Sequence, residues 1–372
     1  MPRIFEASVS SRYPDKRRDN VRVLTVIGNR PQFIKAAAVS GPLRDVADEV
    51  LVHTGQHYDD ALSQIFFDEL RLPRPEHRLE LGGGTNTAQT ARMLSALEPL
   101  LAREEPGLVL VYGDTNSTLA GALAAAQAGI PVAHVEAGMR SYDRTMPEEL
   151  NRVLTDHASD LLLCSSEAPA EILRREGVGG WIEVVGDVMV DVAQLLGPRA
   201  AARTEALERF GVTPGKYVLA TAHRAGNVDD TARLERLVAL LDAVPQPVVL
   251  PLHPRTAARL EAAGLSFRHA TVAPPLGYLE FTALLHHAHA VLTDSGGVQK
   301  EAYLAGVPCV TLRPVTEWTE TVAAGWNVVV DLDAGAALAA LERTPPAERP
   351  PLYGDGHAGA RVVAALARRM GA

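Results

Sequence analysis

Short apolar runs alternate along this chain with Ala- and Leu-rich stretches of helical spacing. The apolar runs predict strands in two series. The first series covers 21–27, 49–54, 108–112, 131–135, 160–164 and 182–185, and the second covers 217–221, 247–252, 270–272, 290–293, 309–312 and 327–330. Apolar strands separated by helices are typical of parallel sheets that are covered on both faces. The pattern therefore predicts an α/β protein with two doubly wound, Rossmann-like domains.

The length of 372 residues is more than one hydrophobic core usually holds, which also favours two domains. We expect a flexible tail at 1–20, an N-terminal domain at 21–192, a C-terminal domain at 193–356 and a terminal helix at 357–372. The predicted boundary lies in an Ala/Arg/Glu-rich segment that leads into Thr213-Pro214-Gly215.

The composition narrows the class of protein. A hydrophobic content of 47% with 22% charged residues is typical of soluble globular proteins, and the net charge of −9 argues against a nucleic-acid partner. Cys164 and Cys309 both lie in apolar runs, which fits a reducing compartment. Because no apolar stretch has the length of a membrane span and residues 1–20 lack the apolar core of a signal peptide, we expect a cytoplasmic protein without a membrane partner.

The segment that follows the strand 290–293 is the most informative one. Asp294-Ser295-Gly296-Gly297 leads directly into a predicted helix that carries Glu301. Two glycines allow an anion to approach the backbone at a positive helix end, and Glu301 lies where it can accept hydrogen bonds from the hydroxyls of a ribose. This predicts a nucleotide site, with a tight strand–turn–helix corner as the alternative.

Candidate acid–base groups lie in the first half. Asp114 and Glu136 each end an apolar strand, and Glu148 opens a helix signalled by Pro147. Carboxylates that converge on one cleft can act as acid and base. The alternatives are that Asp114 caps a helix and that Glu148 only pairs with Arg152, four residues later.

Cationic candidates also follow strands. Arg30 and Lys35 open the helix after the first strand, and His223 and Arg313 follow strands of the second half, where they can bind an anion. The alternatives are surface cations and a hydrogen-bonded structural histidine. No GxGxxG follows any predicted strand, the chain has no GxxxxGK[ST], and its His286, His287 and His289 cluster has no Cys or carboxylate partner. These absences predict no nicotinamide, no P-loop and no metal.

Taken together, these motifs resemble the non-hydrolysing UDP-N-acetylglucosamine 2-epimerase family from about Val21 to the terminal helix. The matching blocks are Gly28-Asn29-Arg30-Pro31, Thr54-Gly55-Gln56-His57, Gly113-Asp114-Thr115-Asn116-Ser117-Thr118, His134-Val135-Glu136-Ala137-Gly138, Pro147-Glu148-Glu149-Leu150-Asn151-Arg152, His223-Arg224 and Asp294-Ser295-Gly296-Gly297 through Glu301. The resemblance implies the glycosyltransferase-B architecture, in which two Rossmann-like domains face each other across a cleft and the terminal helix returns to the first domain.

The resemblance also implies roles for these residues. The residues it implies for catalysis are Asp114, Glu136 and Glu148, with support from Arg152, Lys35 and His223. The residues it implies for UDP-sugar binding are Arg30, His223, Ser295, Gly296, Gly297, Glu301 and Arg313. The implied reaction eliminates UDP to give a 2-acetamidoglucal intermediate and adds it back, interconverting UDP-GlcNAc and UDP-ManNAc without a cofactor. Members are commonly homodimers, and relatives serve polysaccharide biosynthesis.

The substrate stays open at this point. Thr316-Glu317-Trp318 differs from the Thr-Glu-Arg-Pro of many family members, and a tryptophan there resembles the branch that acts on UDP-2,3-diacetamido uronic acid sugars. Further alternatives are a hydrolysing epimerase, a glycosyltransferase of the same architecture and a non-catalytic nucleotide-sugar-binding protein.

Overall fold

Two parallel sheets, one in each half of the chain, organise the computed structural model. It describes residues 21–56, 67–144 and 146–371, so the tail predicted at 1–20 lies outside the described residues. The first sheet contains β1 (Arg22–Ile27), β2 (Asp48–His53), β3 (His77–Arg78), β4 (Leu108–Tyr112), β5 (Val132–Val135), β6 (Leu161–Cys164) and β7 (Trp181–Val184). The second contains β8 (Val218–Thr221), β9 (Val248–Pro251), β10 (Ala270–Ala273), β11 (Ala290–Thr293), β12 (Cys309–Thr311) and β13 (Asn327–Val329).

The two sheets share one strand order. It is β3-β2-β1-β4-β5-β6-β7 in the first sheet and β10-β9-β8-β11-β12-β13 in the second. In each sheet the chain starts in the middle, moves to one edge and then returns to build the other side, which is the doubly wound arrangement. The predicted fold class is confirmed. Each predicted strand matches an observed one within one residue at either end, and the missed strand, β3, has only two polar residues.

Helices connect the strands. In the first half they are α1 (Arg30–Ala37), α2 (Ser40–Arg44), α3 (Asn86–Glu104), α4 (Asn116–Gln127), α5 (Pro147–Ala158), α6 (Glu167–Glu176) and α7 (Val188–Ala201). They continue with α8 (Glu205–Phe210), α9 (Ala225–Val228), α10 (Thr231–Asp242), α11 (Pro254–Ala263), α12 (Tyr278–His287), α13 (Gly296–Ala305), α14 (Thr319–Ala323), α15 (Ala334–Leu341) and α16 (Ala358–Met370). None of these described helices combines the length and the hydropathy that a membrane span requires.

The reversal of strand order creates a crevice in each sheet. It lies between β1 and β4 in the first sheet and between β8 and β11 in the second, at the carboxyl ends of the strands. Ligands of open α/β sheets bind at such reversal points, because the helices that follow the two strands leave on opposite faces. The turns at these points carry Arg30, Asp114, His223 and the segment Asp294–Gly297, so the topology gathers the predicted site residues from distant parts of the sequence.

Helix α7 joins the two halves. It continues through residue 192 without a break, so the division of the chain into domains stays a prediction. Asp191 on this helix accepts hydrogen bonds from the backbone N–H groups of Ala358 and Gly359, at 3.0 and 2.8 Å. Val362 and Leu366 of α16 are fully buried in the hydrophobic core that contains the first sheet. The last helix thus packs beside α7 on the first half of the molecule.

Candidate active site

Asp114 and Arg152 form an ion pair at the end of β4. The Nε and Nη2 atoms of Arg152 donate to Asp114 Oδ2 at 3.0 and 2.8 Å, and the neighbouring Asn151 side chain donates to the Asp114 carbonyl at 2.9 Å. Asp114 does not cap the following helix, because Thr115 does so. Glu148 precedes Asn151 and Arg152 by three and four residues, so it lies on the same side of α5.

The pairing of Arg152 differs from the alternative drawn from the sequence. Its second partner is Glu149, at 3.1 Å, rather than Glu148. Glu149 is buried, and although burial acts to raise its pKa, hydrogen bonds from Ser141 and Tyr142 hold the pKa below its ordinary value. Glu148 is half-buried and forms no ion pair within the described residues, so its acid–base role stays a prediction.

Glu136 has an unusual backbone and two cationic neighbours. Its φ is +71°, a left-handed conformation that costs a non-glycine residue about 1 kcal/mol and that concentrates at functional sites. Its Oε2 atom pairs with Lys35, and its Oε1 atom lies 3.2 Å from Nζ of Lys300. The carboxylate is 13% exposed, so both ion pairs are largely shielded from water.

Lys35 completes the group of charges in the first half. Burial, and after it the charge of Lys300, lower the pKa of Lys35 to about 8. Gly113, at φ +64°, makes room for the pair, because a Cβ there would lie 3.1 Å from Lys35 Nζ and 3.6 Å from Glu136 Oε2. The structure therefore brings Lys35, Asp114, Glu136 and Arg152 together, while their roles stay a prediction.

A buried histidine supports the turns that carry these groups. The Nδ1 atom of His134 lies 2.8 Å from Asp156 Oδ1, and its Nε2 atom lies 2.7 Å from the Gly113 carbonyl oxygen. Asp156 also accepts hydrogen bonds from Arg140, at 2.6 Å, and from the Gly138 backbone, at 3.2 Å. This network fixes the turns after β4 and β5 relative to each other, and with them Asp114 and Glu136.

The turn after β11 has the form of an anion site. Ser295 caps α13, and Gly296 and Gly297 are its first residues, whose N–H groups have no acceptor within the helix. A Cβ at Gly296 would lie 2.2 Å from Glu317 Oε1, whereas a Cβ at Gly297 would lie 3.9 Å from Ser295 Oγ, an ordinary van der Waals distance. Asp294 is fully buried and accepts from the backbone N–H groups of His223 and Arg224, at 3.1 and 3.0 Å, so it joins two turns.

Arg30, His223 and Glu301 face the same crevice. The Arg30 guanidinium lies 5.3 Å from the ring centroid of Phe281, so a residue of the first half reaches the second. Desolvation lowers the pKa of His223, against the opposing charge of Asp294. Glu301 Oε2 is buried without a hydrogen-bond partner in the described chain, and burial raises its pKa, although the charge of Arg30 opposes this. Arg313 is already paired with Glu317, at 2.8 Å.

Sequence reasoning missed Lys300 and Asp187, which form an ion pair between the two halves. Asp187 also caps α7, since its Oδ1 accepts from the Met189 N–H at 2.9 Å. A signal for Lys300 was present, because lysine is rare here: lysines and arginines together number 36, and only four are lysines.

Comparison with known proteins identifies the family. Residues 43–367 match the family model described as UDP-N-acetylglucosamine 2-epimerase. The chain belongs to this family. It is 46% identical over 360 residues to a UDP-2,3-diacetamido-2,3-dideoxy-D-glucuronate 2-epimerase of Pseudomonas aeruginosa, covering 94% of this chain and 100% of the relative. It is 41% identical over 362 residues to a UDP-N-acetylglucosamine 2-epimerase of Methanocaldococcus jannaschii, with coverage of 93% and 99%.

Solved structures agree with this membership of the 2-epimerase family. A crystal structure of the M. jannaschii UDP-GlcNAc 2-epimerase in complex with UDP-GlcNAc and UDP is similar at a TM-score of 0.87 and 40% identity, covering 93% of this chain and 99% of that one. The family resemblance drawn from the sequence is thus confirmed, together with the two-domain α/β architecture. The chain is an enzyme of the 2-epimerase family.

Proposed function

We propose that this 2-epimerase is non-hydrolysing and interconverts UDP-GlcNAc and UDP-ManNAc. The observation that carries the proposal is the arrangement of two opposed sites: an ion-paired carboxylate cluster around Glu136, and an anion-binding turn at Ser295–Gly297 on the helix of Glu301, whose buried Oε2 has no hydrogen-bond partner among the described residues. The M. jannaschii relative, whose structure is described with UDP-GlcNAc and UDP, supports it.

The second half holds the UDP in this proposal. The N–H groups at Gly296 and Gly297 bind a phosphate, Arg30 and His223 bind the diphosphate, and Glu301 accepts from the ribose hydroxyls. Arg313 pairs with Glu317, whose side chain lies next to this turn. Groups placed where negative charge develops on UDP stabilise its departure from C1 of the sugar.

The proton chemistry follows from the weak acidity of the C2–H bond. No carbonyl group adjoins C2, so the C1–O bond breaks first or nearly so, and UDP leaves with the electron pair. The resulting oxocarbenium-like centre makes the C2 proton removable, and a carboxylate takes it as the C1–C2 double bond of the 2-acetamidoglucal forms. Protonation of C2 from the opposite face, with return of UDP to C1, gives the inverted sugar.

Both faces of the sugar therefore need a group that transfers protons. Glu136, Asp114 and Glu148 are the residues we propose for this task, with Lys35 and Arg152 holding the first two in place. Glu136 is fixed between two lysines and Asp114 by Arg152, so neither carboxylate has to reorganise during the reaction. The chemistry uses no cofactor.

A second candidate substrate is UDP-2,3-diacetamido uronic acid. It is favoured by the P. aeruginosa relative, which carries that activity in its name at 46% identity. Trp318, which resembles the residue of that branch, packs over Lys300 with the ring centroid 4.2 Å from Nζ. The elimination and re-addition steps are the same for both sugars.

Proton NMR in D₂O tests the proposal. Each UDP-sugar is incubated with the enzyme and no acceptor, and the C2 resonance is followed. We expect deuterium at C2 and a mixture of the two epimers for the true substrate. Release of free amino sugar would instead indicate a hydrolysing enzyme, and an unchanged spectrum with both sugars would contradict the proposal.

We further propose a cytoplasmic homodimer that serves polysaccharide biosynthesis. This part rests on the family resemblance. Light scattering coupled to size-exclusion chromatography measures the mass in solution, and a mass near that of one 39.7 kDa chain would contradict the dimer.

A further inference from the structure

Lys300 connects the nucleotide half of the molecule to the carboxylate half. It lies on α13, the helix that begins at the Ser295–Gly297 turn, and its side chain is only 3% exposed. Its Nζ atom pairs with Asp187 and lies 3.2 Å from Glu136 Oε1. A single buried ammonium group thus contacts two carboxylates of the other half.

Aromatic rings enclose this ammonium group. The ring centroids of Trp318 and Tyr353 lie 4.2 and 5.6 Å from Lys300 Nζ, and the two rings meet edge to face at 5.7 Å. Asp187 is held beside them, because its backbone N–H donates to the Tyr353 carbonyl at 3.1 Å. Low exposure strengthens the attraction between the lysine and its carboxylates, and the aromatic faces attract the ammonium group as well.

Lysine is a rare residue in this chain, and two of its lysines lie at the candidate site. Of its 36 lysines and arginines, only those at positions 16, 35, 216 and 300 are lysines, and Lys35 and Lys300 contact the same carboxylate. Lysine presents a compact point charge, whereas the guanidinium of arginine is broad and planar. Two of the four lysines of this chain thus contact one largely buried carboxylate.

We infer that Lys300 is a positioning residue for Glu136: it carries a positive charge from the UDP-binding half to the proton-transfer carboxylate and so completes the site. The inference rests on the proposed function for the role of Glu136. Since one helix carries both the phosphate turn and Lys300, the position of bound UDP and the position of the ammonium group are linked. Lys35 holds Glu136 from within the first half, and Lys300 adds the contact that depends on the second half.

The test compares three substitutions. Lys300→Met removes the charge but keeps an unbranched stem, Lys300→Arg keeps the charge on a broader head, and Lys216→Met makes the same change at an exposed lysine of the same half. We expect Lys300→Met to lower kcat by about 100-fold while the Kd for UDP, measured by calorimetry, changes by less than about threefold. Lys300→Arg should restore part of the loss, and Lys216→Met should behave as wild type.

The pH profile separates positioning from a general loss of structure. The charged groups that face Glu136 are Lys35 and Lys300, with Asp114, Arg152 and Asp187 beyond them. Loss of one ammonium neighbour should move the acidic limb of kcat upward by about one pH unit. A folded Lys300→Met enzyme with the kcat and the acidic limb of wild type would overturn the inference. Lys300→Gln, which keeps a hydrogen-bond donor for Asp187, carries the same expectation if Lys300→Met does not fold.

A double-mutant cycle measures the coupling energy between Lys300 and Glu136 and does not depend on enzyme activity. Urea unfolding of Glu136→Gln, Lys300→Met and the double variant should show non-additive losses, because each single change leaves the other charge without one of its partners. Additive losses would overturn the inference. If the wild-type enzyme converts neither UDP-sugar, the proposed function fails, and this cycle still decides whether Lys300 and Glu136 are coupled.

Discussion

The two strand-end clusters of this molecule differ in how their polar groups are satisfied. Around Glu136 and Asp114 each carboxylate already has a cationic partner, and a buried histidine network ties the underlying turns together. Around Ser295–Gly297 the helix N–H groups lack partners within the helix, and the buried Oε2 of Glu301 has no hydrogen-bond partner in the described part of the chain. One cluster is arranged in advance, and the other leaves groups for a ligand to satisfy.

The difference matches the role that we propose for each cluster. Proton transfer depends on a fixed position and a defined protonation state, so its groups gain from ion pairs that exist before substrate arrives. Binding of a diphosphate gains most from donors that have no other acceptor. Substitutions in the first cluster should therefore affect kcat, and substitutions in the second should affect the affinity for UDP.

Glu136→Gln should produce the largest effect and the cleanest separation. The amide keeps the shape of the side chain but removes its charge and its basicity, so we expect kcat to fall by about 1,000-fold. The Kd for UDP should stay within about threefold of wild type, because no UDP contact is changed. Steady-state kinetics and calorimetry measure the two quantities.

The matched control for this prediction is Glu205→Gln, the same change at an exposed glutamate of α8. It should leave both quantities unchanged. A Glu136→Gln enzyme that retains near-wild-type turnover would refute the role of this carboxylate.

Much of the fold was readable from the sequence, because apolar strands are local signals. β1 is a buried apolar run, whereas the cap considered for α4 was one residue off, since Thr115 and not Asp114 caps this helix. Helix α7 was harder to place, since its sequence carries no mark of the crossing between the two halves. Local patterns predicted the site residues at strand ends for the same reason that they predicted the strands.

The partners of those residues were not readable in this way. The pairing of Arg152 with Asp114 joins residues that are 38 positions apart, and the contact of Lys300 with Glu136 spans 164 positions. Such contacts depend on how α5 and α13 pack, which spacing along the chain does not specify. The left-handed backbone of Glu136 was equally hidden, because glutamate rarely adopts it.

Two adjacent glycines offer the next test of the comparison. A Cβ at Gly296 would collide with Glu317, so Gly296→Ala should lower the free energy of unfolding by about 1–3 kcal/mol and weaken UDP binding together. Gly297→Ala adds a methyl group that meets only Ser295 Oγ, at 3.9 Å, and should leave unfolding unchanged, while UDP affinity falls about tenfold because the methyl group meets the phosphate. Urea unfolding and calorimetry of both variants measure this, and equal unfolding midpoints for the two would contradict the prediction.

Glu301→Gln should improve stability and weaken binding. Burial raises the pKa of Glu301 above its ordinary value of 4.5, so the folded state binds this proton more tightly than the unfolded state. Folding stability is therefore lost as the pH rises from 4.5 through the raised pKa of the folded state. Above that pKa the full free-energy cost of burying the carboxylate is present. We expect the glutamine variant to unfold at a higher urea concentration than wild type at pH 7, with the gain disappearing near pH 4.

The same substitution should weaken UDP binding by about tenfold, because hydrogen bonds from the ribose to a carboxylate are stronger than those to an amide. Deoxyuridine diphosphates provide the control, since loss of a ribose hydroxyl should reduce the difference between the variant and wild type. A variant that gains stability and binds UDP as well as wild type would show that Glu301 is buried for another reason.

The smallest expected effects are pH dependences, and the two halves should differ in these too. The pKa of Lys35, lowered to about 8 by burial and by the charge of Lys300, predicts a fall in kcat as the pH rises past that value and the ammonium beside Glu136 loses its proton. Lys35→Arg should shift this limb to higher pH, since arginine stays protonated.

In the second half the pKa of His223 lies below its ordinary 6.5, so UDP should bind several-fold more tightly only in more acidic solution, where His223 becomes a cation. Subtracting the pH profile of UDP affinity for His223→Asn from that of wild type removes the titration of UDP itself. If kcat and UDP affinity shared the same alkaline limb, the separation of the two clusters would be contradicted.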